Sequence, residues 1–261
     1  MWDEEIQGCI SANTADINND GCVQLNDLLD LLSAYGDCGA EETPWLCGDP
    51  LEYQGYDYET VQIGEQCWFA ENLRYLPEVA PVELGSEDDG LPHSYVYGYE
   101  GYSPATAALT SNYSTFGALY NHHAVESWML CPSGWHVPSD DEFVNLSNSL
   151  GGFLVAGGKM KSSGELEEGS GYWIAPNSGA SNSSGFNALP AGERFSTGGG
   201  DNVGWAGLNE QTRFWTSSVP DNAPDDEGLF RSLWYASEAL SQQNGYPKSV
   251  GMSIRCIKDA E

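Results

Sequence analysis

Apolar and polar residues along the chain follow two different periods, and long stretches between them follow neither. Residues 56–64 and 249–257 alternate apolar and polar side chains, which predicts a strand early in the chain and a strand at its end. Residues 140–150 repeat apolar side chains at every third or fourth position, which predicts a helix. Residues 76–115 and 156–204 are dense in Gly, Ser and other turn-forming residues, which predicts long loops over a core.

A small module precedes this region. The leucines of residues 28–32 recur at helical spacing, and Gly36 is placed to end the predicted helix. We therefore divide the chain into a small segment at residues 1–40, a connector at residues 41–50 and a large domain at residues 51–261.

Oxygen-bearing side chains just before the predicted helix have the spacing of a calcium loop. Such a loop supplies oxygens from its first, third, fifth, seventh, ninth and twelfth places, with Gly at the sixth. Residues 16–27 match this pattern with Gly21 at the sixth place. The expected ligands are Asp16, Asn18, Asp20, the Cys22 carbonyl, Gln24 and Asp27. The segment resembles one half of a dockerin, in which Asp at the last place is usual, and it predicts calcium as a cofactor.

Charge is the most unusual global property of the chain. Thirty-nine acidic residues face nine basic ones, for a formal net charge of −30. Nucleic acid and anionic membrane surfaces are therefore poor partners, since both are bound by clustered Lys and Arg. The sequence also has no run of about 20 apolar residues, so membrane insertion is not expected. The acidity fits a salty, calcium-containing medium, and it equally fits the general solubility of a secreted protein.

Seven cysteines are scattered along the chain without a CxxC pair. This usage predicts disulfides in an oxidising compartment, with one thiol left over, and hence an extracellular or cell-surface protein. Cys9 and Cys38 bracket the small segment, and we expect them to pair. A Cys9–Cys22 bond is the competing choice.

Several motif strings in the large domain carry a resemblance to a known family. In chain order they are GYDYETVQIGEQCWFAENL (55–73), GALYN (117–121), CPSGWHVPSD (131–140), GGKMK (157–161), FWTSS (214–218) and SIRC (253–256). Their order and spacing resemble the Fibrobacter succinogenes major paralogous domain, over about residues 47–259. The resemblance implies an extracellular α+β domain of C-type-lectin-like fold with long loops, in the branch that includes formylglycine-generating enzyme.

The motif strings also suggest how the large domain is fastened. Cys131 and Cys256 both lie in them, and a bond between these two cysteines would join the middle of the chain to its last strand. Cys47 and Cys67 would likewise pin the first hairpin. For three of the few basic residues we expect buried or partly buried ion pairs rather than a ligand site; these are Lys159, Lys161 and Arg255.

No motif of a known catalytic class is present. The sequence lacks HExxH, a GxSxG nucleophile elbow and a phosphate-binding Gly loop. A structural hydrogen bond is the favoured role of His136. Metal binding by His122 and His123 would require both side chains on one face, but adjacent residues of a strand point to opposite faces. The reactive cysteine pair of formylglycine-generating enzyme and the sugar-site strings of C-type lectins are also missing, so we expect no enzyme.

What remains is recognition. Residues 213–248 combine aromatic and charged side chains in the late loops, which lectin-like folds display. The candidate ligand-binding residues are Arg213, Trp215, Arg231, Trp234 and Tyr235; the competing interpretation is ordinary core aromatics. We expect a recognition or adhesion module that binds a glycan or a protein. The alternative is a structural subunit of an extracellular filament, coat or surface assembly, with self-association through the leftover thiol.

Overall fold

The structure is a computed structural model. It describes residue 16 and residues 23–34, 45–85, 88–196, 202–242 and 245–260. The chain divides into two compact units, Met1–Leu46 and Cys47–Glu261. The boundary falls inside the connector that the sequence predicts. In the first unit, the predicted leucine-rich helix is α1 (Leu25–Ala34). Cys9, Cys22 and Cys38 lie outside the described residues.

The second unit is a mixed α+β domain with short elements. Its helices are α2 (Pro104–Ala107), α3 (Ser111–Phe116), α4 (His122–Ser127), α5 (Asp140–Ser149) and α6 (Phe153–Met160). Its strands are β1 (Leu51–Tyr53), β2 (Tyr56–Tyr58), β3 (Thr60–Ile63), β4 (Gln66–Phe69), β5 (Ser94–Tyr95), β6 (Leu119–Tyr120), β7 (Trp135–His136), β8 (Ala191–Ser196), β9 (Val203–Leu208), β10 (Gln211–Trp215), β11 (Glu227–Gly228), β12 (Phe230–Trp234), β13 (Ser241–Gln242), β14 (Tyr246–Pro247) and β15 (Ile257–Lys258).

Two sheets carry most of the pairing. One has the order β3-β4-β15-β7, so the end of the chain pairs with its beginning, and Ile257 lies opposite both Trp68 and His136. The other has the order β13-β12-β10-β8-β9, in which the β10–β8 contact is parallel. Three smaller two-stranded sheets are β1-β2, β5-β6 and β11-β14.

The predicted early strand is present as β2 and β3, and β3 turns into β4 at Gly64, whose φ is +61°. The predicted final strand is shorter than expected. Residues 251–253 make isolated bridges to three different segments before β15 begins. Each bridge fastens one position of the chain end to another part of the domain.

Helix α5 forms as its pattern predicts. Ser139 caps it, and the side chains of Ser139 and Glu142 satisfy each other's backbone N–H groups in a capping box. Phe143 and Leu146 face the core.

Helix α6 extends into a region that was predicted as loop. Its glycines serve close packing rather than flexibility, because a Cβ on Gly157 would lie 2.4 Å from the Ala239 carbonyl oxygen. A Cβ on Gly158 would lie 2.6 Å from the Gly179 carbonyl oxygen.

Aromatic residues dominate the largest core cluster. Trp68 contacts Phe143 and Phe186, and Phe214 packs against both of these phenylalanines. Two disulfides pin the domain at its edges. Cys47 is bonded to Cys67, 20 residues later, and Cys131 to Cys256, 125 residues later. These are the two pairs expected in the large domain.

Among the described residues, Lys159, Lys161 and Arg255 do not form the ion pairs expected of them. Lys159 Nζ donates to the Leu150 carbonyl at 2.8 Å, and Lys161 Nζ donates to the Trp234 carbonyl at 3.2 Å. Arg255 is fully buried and held by carbonyl oxygens and an Asn side chain. Backbone carbonyls satisfy these donors without bringing a second full charge into the interior.

Candidate functional site

The five candidate ligand-binding residues lie in β10, in β12 or directly after β12 rather than in the expected loops, and they do not converge on one exposed surface. Trp215 is fully buried, and its indole N–H donates to the Tyr120 carbonyl at 2.8 Å. Arg231 is 2% exposed, and its Nε donates to Asp140 Oδ1 at 2.8 Å. Both side chains therefore make their contacts inside the domain. For Trp215 this agrees with the competing interpretation, in which the aromatic residues belong to the core.

The remaining three members of that set differ in exposure, since Arg213 and Tyr235 are half-buried and Trp234 is exposed. Arg213 is half-buried, 2.7 Å from the Glu193 carboxylate, and its guanidinium lies 5.2 Å from the Phe230 ring centre. Trp234 is 40% exposed and packs against Tyr235 with ring centres 5.0 Å apart. Trp234 is thus the exposed large side chain of the five.

A depression in the protein surface lies on another part of the domain. This aromatic groove has a volume of about 900 Å³ and is bounded by the β1–β2 hairpin, residues 75–77 and residues 125–137. The aromatic side chains in its lining are Tyr53, Tyr75, Trp128 and Trp135. Tyr53, Tyr75 and Trp128 are half-buried, so part of each ring is held by the protein and part is open.

The rings in the groove are fixed by neighbouring contacts. The centres of the Tyr53 and Tyr75 rings are 5.9 Å apart with an interplanar angle of 59°. The Tyr53 hydroxyl donates to the Met129 carbonyl at 3.3 Å, and burial raises the pKa of Tyr53. Met129 itself is 91% exposed at the rim. A Tyr hydroxyl is already neutral at physiological pH, and the raised pKa of Tyr53 keeps it a neutral donor and acceptor there.

Local sequence explains why the wall of the groove holds its shape. Asn121 caps α4 by accepting the Ala124 N–H at 3.0 Å. Trp128 ends that helix, and its N–H donates to the Ala124 carbonyl at 2.9 Å. Three residues later, Cys131 ties the same segment to Cys256. The wall is therefore anchored on both sides of the exposed Met129.

His136 lies at the polar end of the groove. Its Nδ1 is 2.6 Å from Asp259 Oδ1 and its Nε2 is 2.9 Å from Glu142 Oε1. Burial lowers the pKa of His136, but the hydrogen bonds to Asp259 and Glu142 outweigh burial and raise it. Both ring nitrogens are occupied by carboxylates, which gives His136 the structural role that the sequence favoured.

The other two adjacent histidines begin a helix rather than lying in a strand. His122 is buried in α4, its Nε2 lies 3.0 Å from the Thr216 carbonyl oxygen, and burial lowers its pKa to about 4. His123 Nε2 instead lies 2.6 Å from Asp88 Oδ1. Among the described residues, no group of His, Cys, Asp and Glu side chains is arranged to hold a metal ion.

Of the six expected calcium ligands, three are described. Asp16 is half-buried, Gln24 is exposed, and Asp27 is 2% exposed at the start of α1. The Gln24 N–H donates to Asp27 Oδ2 at 2.8 Å. Asn18, Asp20 and Cys22 lie outside the described residues.

Comparison with protein families decides the family question. The model of the Fibrobacter succinogenes major domain matches residues 61–258, which is more than half of the chain. The chain belongs to this family. The major domain thus begins in β3 and ends in β15, two strands of the same sheet. Comparison with curated proteins and with solved structures gives no match.

Two further observations bear on the compartment in which this Fibrobacter succinogenes major domain is found. Its two disulfides indicate an oxidising environment outside the cytoplasm. In the part of the chain that the structure describes, no helix has the length and apolar character needed to cross a bilayer.

The aromatic groove was not found from the sequence. Tyr53 precedes the matched region of the family, and Tyr75 and Trp128 stand outside the motif strings. The available signal was the apolar run Trp128-Met129-Leu130 directly before Cys131, in a stretch of polar residues.

Proposed function

We propose that this chain is a secreted, non-catalytic recognition module, and that it binds a glycan or a protein ligand in the aromatic groove. The observation that carries the proposal is the set of half-open rings of Tyr53, Tyr75 and Trp128 around one depression. Its volume of about 900 Å³ lies in the range of small-ligand sites.

The chemistry of the groove favours a glycan over other small ligands. Aromatic rings present flat apolar faces, and a sugar ring has one face of C–H groups that packs on them. The Tyr53 and Tyr75 hydroxyls, with Ser133 and Ser217 in the lining, offer neutral hydrogen-bonding groups for sugar hydroxyls. The net charge of −30 disfavours acidic polymers.

A glycan array tests the proposal, with Trp128→Ala as the decisive variant and Trp234→Ala as its matched control. Both substitutions remove a partly exposed Trp, but Trp234 lies outside the groove lining. We expect array binding to be lost in Trp128→Ala and kept in Trp234→Ala. Loss only in Trp234→Ala would move the site to the exposed Trp234 at the end of β12. Glycan binding that survives in both variants would overturn the groove assignment.

Calcium binding by residues 16–27 is a second part of the proposal. The support among the described residues is Asp27, which accepts the Gln24 N–H and is 2% exposed, although Leu25, Leu28 and Leu29 beside it are at least half exposed. A buried carboxylate fits a calcium ligand at the last place of the loop, because a cation compensates the cost of burying the charge. The bound ion would hold the loop of a dockerin-like segment together.

We also propose the finer fold assignment, a C-type-lectin-like domain exposed at the cell surface or outside the cell. The support is the pairing of β4 near the start of the domain with β15 at its end, with long irregular connections between them. An experimental structure compared with lectin-like domains tests the assignment. A different strand order would refute it.

A further inference from the structure

A second depression in the same domain has a different character from the aromatic groove. This polar cleft has a volume of about 460 Å³ and lies beside β3, the end of β4 and residues 182–189. Its lining includes four charged side chains, Glu59, Glu71, Arg74 and Arg255. Two are acidic and two are basic, so the cleft is balanced in charge in a molecule whose net charge is −30.

The basic side chains of the cleft are anchored from within. Arg255 Nε donates to Asn72 Oδ1 at 2.8 Å, and its Nη1 donates to the Phe186 carbonyl at 2.6 Å. Arg74 Nη1 donates to the Tyr113 carbonyl at 2.7 Å. The guanidinium groups therefore keep their places whether or not a ligand is present.

Other polar groups of the cleft are left available. The side chains of Glu59, Thr115 and Asn187 have no hydrogen bond to any described residue, and Asn182 uses only its Oδ1, which accepts the Asn187 N–H at 2.8 Å. These groups comprise a carboxylate acceptor, a hydroxyl that both donates and accepts, and amide donors and acceptors. Such a mixed set matches vicinal hydroxyl groups, which also donate and accept.

The loop that carries the two asparagines is held rigidly. Asn182 and Asn187 adopt left-handed backbone conformations, with φ of 48° and 52°. The Asn187 carbonyl accepts from Arg255 Nη2 at 3.1 Å. The backbone that carries these amide groups is therefore positioned before a ligand arrives, which lowers the entropic cost of binding.

We propose that the polar cleft is a second binding site and that its ligand is a neutral, hydroxyl-rich sugar residue. The negative charges of Glu59 and Glu71 disfavour an anionic ligand, and the positive charges of Arg74 and the buried Arg255 disfavour a cationic one. Arg74 and Glu71 also pair with each other at 3.4 Å. A neutral ligand meets neither repulsion and uses the free donors and acceptors. The volume of the cleft is large enough for one or two sugar rings.

A smaller depression, of about 290 Å³, shares lining residues with both the cleft and the aromatic groove. Gln54 and Tyr75 line both this depression and the groove, and Arg74 lines both this depression and the cleft. One extended glycan therefore has a continuous path over both sites. This continuity rests on the proposed function, whereas sugar binding in the cleft does not.

Titration calorimetry with glucose, galactose, mannose and xylose, at physiological ionic strength, tests the cleft by itself. We expect at least one of these sugars to bind the full chain, and binding to weaken about tenfold in Asn187→Gly, which removes the free amide. Gly accepts the left-handed backbone of this position. Asn209→Gly is the backbone control, because Asn209 also has a left-handed φ, of 66°, and does not line the cleft. Its amide donates to the Tyr172 carbonyl, so any loss of stability in this variant is measured separately by thermal melting. Glu59→Gln changes the free carboxylate without changing its shape.

The outcomes separate this proposal from the function proposed for the groove. Trp128→Ala is expected to leave monosaccharide binding unchanged, because Trp128 does not line the cleft. If none of the four sugars binds, or if Asn187→Gly and Glu59→Gln bind them as tightly as the unmodified chain does, the cleft is not a sugar site. Glucuronate or glucosamine binding about tenfold tighter than glucose would overturn the argument from charge balance. None of these results depends on the array binding of the groove.

Discussion

The two disulfides of the large domain should differ in their contribution to stability, because they close loops of very different length. Cys131 and Cys256 are 125 residues apart, whereas Cys47 and Cys67 are 20 residues apart. A cross-link restricts the unfolded chain more when its loop is longer. From the loop-closure entropy, the Cys131–Cys256 bond should add about 5 kcal/mol and the Cys47–Cys67 bond about 3 kcal/mol to the free energy of unfolding at 25 °C. The difference between the two is about 1.6 kcal/mol.

The perturbation is replacement of each pair by Ala, Cys131→Ala with Cys256→Ala and Cys47→Ala with Cys67→Ala. Removing both partners leaves no new thiol that could exchange with the other cysteines. Each pair has one buried and one half-buried cysteine, so the loss of packing is similar in the two variants. The difference between them therefore isolates the effect of loop length.

The assay is equilibrium unfolding in urea followed by Trp fluorescence, at one fixed calcium concentration. We expect the unmodified chain to be the most stable and the Cys131–Cys256 variant the least stable. If the Cys47–Cys67 variant is equally or less stable than the Cys131–Cys256 variant, loop closure does not govern the contribution of these bonds.

Three further results are expected. Asp140→Asn should cost about 3–5 kcal/mol in urea unfolding, because it leaves the buried Arg231 without its carboxylate; exposed Asp141→Asn is the control, expected to change stability by less than about 0.5 kcal/mol. His136→Gln should lower the melting temperature at acidic pH but not well above neutral pH. The pKa of His136 is raised in the folded state, so its charge stabilises the fold below the pKa of the unfolded state, and this stability is lost as the pH rises through the folded-state pKa. An equal loss at both pH values would contradict this. Chelation should lower the melting transition of residues 1–40, and Asp27→Asn should remove the response to added calcium; a melting curve indifferent to chelator would count against the metal.

The parts of the fold that depend on local signals could be predicted from the sequence. Helix α5 has its apolar face and its capping residues within about ten positions, and β3 has its alternation and turn within a similar span. The end of the chain was harder, because residues 251–253 bridge three distant segments. The glycines in α6 predict a loop, although tight contact with other backbone segments requires them in this helix.

The candidate site shows the same limit more strongly. Trp215 and Arg231 are residue types that are common in ligand-binding surfaces. Their burial, however, depends on contacts with Tyr120 and Asp140, which are distant in sequence. A groove whose wall starts at Tyr53 and continues beyond residue 125 has no single sequence pattern. The sequence also predicts the wrong partners for Lys159, Lys161 and Arg255, because it does not reveal which backbone carbonyl oxygens point inward.

The most direct test of the central claim follows the indole N–H signals of ¹⁵N-labelled protein during titration with the glycan that gives the strongest array signal. Single Trp→Phe variants assign the signals. If the groove is the binding site, the Trp128 signal shifts with increasing glycan while those of Trp234 and the buried Trp215 stay in place. A shift of Trp234 with an unchanged Trp128 would contradict the account.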